Sequence, residues 1–196
     1  MTISELYDQL CDKGFQDHYT GNLFFPAYMY TYDAEKEYEI DREIVSIKDK
    51  LYRPSNYLDI MVLDIFEEFI HYLKTTKFGK AYKFDFYIEH EAEKPQQVAD
   101  ALKKDSYDDR FLSYLDDKIQ SHLENAEEYE VAYVIMKGFG NAFPYIRASR
   151  FMAKFEKYIK GFKLVMFYPG EAKDYYSLFG LLKNENLYRA IKLINE

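Results

Sequence analysis

Two short turns are the places in this chain where main chain could close on a ligand: Lys137-Gly-Phe-Gly-Asn141 and Tyr168-Pro-Gly-Glu171. Glycine adopts left-handed backbone angles and lets a bound group come close. Unpaired N–H groups at the start of the helix after the first turn would attract an anion. If the strands before the two turns run parallel, both turns stand at one end of a sheet, where open α/β sheets bind ligands. Gly138, Gly140, Asn141, Tyr168, Gly170 and Glu171 are therefore candidates for a nucleotide- or phosphate-binding crevice, with Lys137 and Arg147 adding positive charge. The plainer reading of both glycines is a tight strand-to-helix turn.

A second constellation is basic. Arg147, Arg150, Lys154 and Lys157 recur at helical spacing, opposite an apolar stripe of Tyr145, Ala148, Met152 and Phe155. The ordinary explanation is the solvated face of an amphipathic helix. The sharper one is a basic surface for an acidic partner. No aromatic residue is interleaved on that face to stack bases, which favours protein over nucleic acid.

Other chemistry lacks its residues. There is no GxxxxGK[ST] phosphate loop, no GxGxxG and no GxSxG. The single cysteine, Cys11, has no histidine near it in sequence, and one cysteine builds neither a disulfide framework nor a cysteine-based zinc site. His18, His71, His90 and His122 are scattered, with no HxH or HExxH pair. The expectation is a protein that is not an enzyme, with no catalytic residue, metal or cofactor.

The elements that must position these residues follow from periodicity. Thr2-Ile-Ser-Glu5 has capping-box spacing, and Ile3, Leu6, Tyr7 and Leu10 follow as one apolar helical stripe. Segments 25–30, 57–63, 131–136 and 163–168 are short and apolar and read as strands, with a short fifth at 187–194. Asp33 and Asp64 stand where helix caps belong, and Ile40, Ile44, Ile47 and Leu51 space out a buried helical face. The helix after the glycine turn is expected to start at Pro144 and run to about Ile159. Residues 78–125 read as a helical insertion, though 80–94 also partly alternate. Strands alternating with helices imply parallel pairing. The expected fold is α/β: a single domain over 1–196 with about five mostly parallel strands flanked by helices.

Length and charge bound the rest. A chain of 196 residues has the size of one ordinary domain, and its 48% hydrophobic and 31% charged residues are a foldable balance. No apolar run is long enough for a transmembrane helix, and the N-terminus has no basic region followed by an apolar one, so the expected location is cytoplasmic, away from membranes. The net charge is −8, unevenly placed: residues 1–130 carry −14 and residues 131–196 carry +6. That distribution argues against direct DNA contact by this chain alone.

The C-terminal third carries a resemblance. VIMKGFGNAFPYIRASRFMAKF and LVMFYPGEAKDYYSLFGLLKNENLYRAIKL are similar to the BrxB family of bacteriophage exclusion (BREX) systems. That family shows a G-x-G turn, a Pro-Phe/Tyr-hydrophobic-Arg segment, then PLVLFYPGEYDG and LFGRLKDxNYYRA. Here these elements fall on Gly138, Gly140, Pro144, Tyr145 and Arg147, then on Phe167 to Glu171. They continue on Leu178, Phe179, Gly180, Leu182, Lys183, Asn186, Tyr188, Arg189 and Ala190. FPAYMYTYDAEKEYEIDREI resembles the family's PFYIFDYDPEEELEVREHI. Ala172-Lys173 departs from the usual Tyr-Asp, and Leu187 from the first Tyr of YYRA. The resemblance implies an accessory component of an antiphage system that also contains an adenine-specific DNA methyltransferase, a large ATPase and PglZ, a phosphatase-superfamily protein. PglZ is the first candidate partner. The resemblance supplies no catalytic residues.

Overall fold

Successive residues of a strand point to opposite faces, and in this chain both faces are apolar, so the sheet is covered on both sides. The computed structural model describes residues 2–16, 27–53, 56–125, 132–172, 175–178, 182–186 and 191–193, with backbone alone from 171 onward. Helices α1 (Ile3–Cys11) and α2 (Lys13–Gln16) precede strand β1 (Ala27–Tyr32). Then come α3 (Glu37–Tyr52), β2 (Asp59–Asp64) and α4 (Ile65–Thr75). A minimal hairpin, β3 (Lys77–Phe78) and β4 (Ala81–Tyr82), opens a stretch of α5 (Lys83–Glu91), α6 (Pro95–Asp105) and α7 (Asp109–Asn125). The chain continues through β5 (Ala132–Lys137), α8 (Phe139–Ala142), α9 (Ala148–Phe155) and β6 (Lys163–Ala172). It ends in β7 (Tyr175–Leu178), β8 (Leu182–Asn186) and β9 (Ile191–Leu193).

The fold is α/β. Strands lie in the order β2-β5-β6-β1-β9 and every neighbouring pair is parallel. Alternation sorts their side chains into two cores. Tyr28, Tyr30, Ile60, Tyr133, Ile135, Val165 and Phe167 meet α1 and the Ile40/Ile44/Ile47/Leu51 face of α3. Met29, Leu63, Val134, Met136, Leu164 and Met166 meet α4, α7 and α9. The capping box at Thr2 is formed: Thr2 N donates to Glu5 Oε2 at 2.6 Å, and Glu5 N donates to Thr2 Oγ1 at 3.3 Å. Among the described residues no helix is long and apolar enough to cross a membrane.

Three local expectations change. The helix after the glycine turn does not begin at Pro144. Four residues of α8 come first, Phe143 is extended as residues before proline prefer, and the N–H groups of Tyr145 and Ile146 return to the Ala142 carbonyl, both at 3.0 Å. α9 therefore starts at Ala148 and ends at Phe155, a 3-10 turn follows, and Tyr145 stays half-buried. Second, Tyr168 to Glu171 does not leave the strand. Pro169 takes the last rung of the β1–β6 pairing, opposite Tyr32, and β6 runs on to pair antiparallel with β7. Proline is tolerated where pairing ends, and Gly170, at φ 145°, makes the step. Third, where no strand is expected between 168 and 187, β7 and β8 pair as an antiparallel hairpin whose sequence has no clean alternation.

Candidate functional site

The carboxyl ends of β1, β2 and β5 form one edge. Parallel register sets Asp64, the last residue of β2, beside Lys137, the last residue of β5. Asp64 Oδ1 accepts from the N–H of Phe66 at 3.0 Å and of Glu67 at 3.3 Å, so the carboxylate caps α4. Lys137 reaches Asp41 on α3, with Nζ to Oδ1 at 2.6 Å, and stands 3.4 Å from Asp64 Oδ2. Burial disfavours the Lys137 ammonium, but the Asp41 hydrogen bond and the charges of Asp41 and Asp64 outweigh it, so its pKa lies above the ordinary lysine value. Tyr32 ends β1 and donates to Glu37 Oε2 at 2.5 Å. Burial, then the bond to Glu37, pushes its hydroxyl far above the usual tyrosine pKa. The hydroxyl therefore stays protonated as the donor of the bond to Glu37.

Gly138 follows Lys137 in the left-handed region, at φ 82°. A Cβ there would stand 2.7 Å from Asp64 Cγ and 3.0 Å from Oδ2. The space over the first glycine is therefore occupied by a carboxylate of the chain itself. Gly140 lies inside α8, Asn141 is exposed at its surface, and Phe139, between the two glycines, is buried against Phe151 at 5.7 Å. Tyr168 is buried opposite Thr31, Gly170 pairs with Leu178, and Glu171 has its backbone opposite Ser177. The Glu171 side chain lies outside the described residues, as does Arg189. Among the described residues, the carboxylates of Glu37, Asp41 and Asp64 and the ammonium of Lys137 stand together at this edge. Lys137 is already engaged by two of them.

The basic residues gather elsewhere, around one buried tyrosine. Tyr107 lies between α6 and α7. Its hydroxyl accepts the N–H of Arg147 at 2.7 Å, and its carbonyl accepts Lys154 Nζ at 3.0 Å. The Arg150 guanidinium lies 4.2 Å from the centre of its ring, the distance of a cation–π contact. Arg147 sits 5.7 Å from the Phe143 ring, and Lys157 pairs with Asp109 at 3.1 Å. Arg147 caps α9 and Lys157 lies in the turn beyond it, so only Arg150 and Lys154 are in the helix proper. The aromatic partner missing from the helix itself comes from another segment. Nothing in sequence spacing points to Tyr107, because the contact joins positions about forty residues apart.

Two further features lie apart from both regions. Lys83 and Asp105 form a buried ion pair at 2.5 Å, and Tyr87 donates to the same carboxylate at 2.6 Å. A cavity of about 280 Å³ between α5 and α6 is lined by Phe86, Tyr87, His90, Lys94, Val98 and Ala101. Among the described residues no group of three His, Cys, Asp or Glu side chains could hold a metal ion. Burial raises the pKa of the Cys11 thiol, which makes it a poorer nucleophile.

Comparison with known proteins adds a family. A family profile described as "BREX protein BrxB" matches residues 61–193. A BREX protein BrxB of Bacillus cereus (strain H3081.97) is 26% identical over 200 residues, covering 99% of this chain and 96% of the relative. No solved structure matches.

Proposed function

The chain belongs to the BrxB family of BREX proteins, and from that premise we propose that it is a non-catalytic accessory component of a phage-exclusion system, an interaction module that docks onto another protein of the system. PglZ, the phosphatase-superfamily member, is the first candidate partner. The complex would work in the cytoplasm and support host DNA methylation and phage exclusion.

The observation that supports this reading is the basic cluster around Tyr107. Arg150 is held over a buried ring and Lys154 is anchored to a main-chain carbonyl. Side chains fixed before binding lose less entropy when a partner arrives. Arginine is also enriched among the residues that dominate interface energies. The cluster belongs to the +6 segment of a chain that is otherwise acidic, so an acidic partner surface would be steered to it.

The test is co-expression of tagged protein with its PglZ-like neighbour, followed by size exclusion at two salt concentrations. Co-elution that weakens at high salt, and that Arg150→Glu with Lys157→Glu removes, is the expected result. Clean separation at both salts would sink the docking reading. Retention by the folded double variant would remove this surface from it.

A further inference from the structure

We propose that the outward face of α3 pairs with the same face of a second copy of this chain, antiparallel, about a two-fold axis near Val45. The face consists of Tyr38, Arg42, Val45, Asp49 and Tyr52. Alternating steps of four and three residues keep these side chains in one stripe, the spacing of a helix–helix seam. The stripe lies away from Ile40, Ile44, Ile47 and Leu51, which fill the core. Tyr38 is 85% exposed, Val45 61% and Tyr52 59%, so three large apolar side chains stand in solvent along one line. Outward positions on a helix are ordinarily polar.

The two charges between them identify the occupant. Arg42 and Asp49 are both exposed, and neither forms an ion pair among the described residues. They lie two turns apart, about 10.5 Å along the axis, whereas ion pairs within one helix join residues three or four apart. They therefore do not satisfy each other. A second copy laid antiparallel brings Arg42 of each chain beside Asp49 of the other, twice, with Val45 between the two pairs. A parallel copy would oppose Arg42 to Arg42. Opposite charges placed symmetrically about a central apolar residue make a surface complementary to itself under a two-fold axis, which is what an isologous interface requires. A face kept for a different protein has no need of that symmetry.

One helix pair buries less than the roughly 1,000 Å² of a tight interface, so the dimer is weak. The experiment is sedimentation velocity of the full chain from about 5 to about 500 µM, a range that spans weak self-association. A monomer–dimer equilibrium within that range is expected. Arg42→Glu and Asp49→Lys should each raise the dimer Kd by about tenfold or more, since each reversal makes two like-charge contacts. The combined R42E/D49K variant should return to within about threefold of the wild type, because the swap restores both pairs. The positions are exposed, so circular dichroism melting should show all three variants folded. A wild type that is monomeric throughout, or a double variant that dimerises no better than the singles, overturns the proposal; in the first case the stripe belongs to a different protein.

Discussion

The Asp64 carboxylate fills the space that a side chain on Gly138 would need, with its Cγ 2.7 Å from the position of a Cβ. The glycine at the head of the turn is thus required twice, by its left-handed backbone and by the cap of a neighbouring helix. The Asp64 carboxylate thus ties the turn between β5 and α8 to the start of α4.

Gly138→Ala should destabilise the protein by about 1–3 kcal/mol through left-handed strain alone, before the clash is counted. Asp64→Ala should cost about 1 kcal/mol by uncapping α4. Chemical denaturation of both single variants and the double should show coupling. The double loses less than the sum, because removing the carboxylate clears the space for the new methyl group. Strict additivity would mean the two residues do not meet. Gly140→Ala, at a glycine inside α8 without a left-handed φ, should be milder than Gly138→Ala.

The Lys83–Asp105 pair predicts an asymmetry. Both side chains are nearly sealed from water, at 4% and 9% exposure, and Tyr87 donates to the same carboxylate. Replacing Lys83 alone by Met strands a buried carboxylate and should cost about 3–5 kcal/mol. Replacing Lys83 and Asp105 together by Met and Leu should cost less than the single change. Urea melts of the two variants distinguish these cases.

Asp108 gives the stability a pH dependence. Its hydrogen bonds from Arg110, at 2.9 and 3.1 Å, are the main cause that holds its pKa down to about 2. A carboxyl whose pKa is lower in the folded chain stabilises that state above the unfolded value of about 3.9 and loses the contribution as pH falls toward about 2. Arg110→Gln should therefore be less stable than the wild type at neutral pH. The gap should close between those two values in acid melts, and carbon-detected NMR should show the Asp108 pKa rising in the variant. A gap that stays constant across that window would sink the assignment.

Lys154 and Lys157 should separate stability from binding. Lys154 is exposed, but its ammonium donates to the carbonyl of the buried Tyr107, and Lys154→Met should lower stability by about 1 kcal/mol. Lys157 makes an exposed pair with Asp109, and solvent screening leaves such pairs with little effect on stability. Lys157→Met should leave the melting temperature nearly unchanged while weakening a complex formed through this surface. Equal thermal losses in the two variants would show that the cluster is a structural device alone.

The strands read at 57–63, 131–136 and 163–168, which the fold places at Asp59–Asp64, Ala132–Lys137 and Lys163–Ala172, and the buried face of α3 could be read from the chain, because local apolar runs and 3.6-residue spacing are one-dimensional signals that burial enforces directly. Asp64 was legible as a cap for the same reason: its partners are two and three residues away. The basic residues were legible as a group, but their surroundings were not. Tyr107 reaches Arg147 and Lys154 across about forty residues, and no local pattern marks a contact of that separation. The glycine turn shows the division most clearly. The sequence alone determined that a Gly-x-Gly turn leaves a buried strand. Only the parallel register of β2 beside β5 decided that the Asp64 carboxylate stands over its first glycine and engages the neighbouring lysine. Strand neighbours are chosen by how a whole sheet buries both faces, so what lines its edge is a property of the assembled layers and not of any one segment.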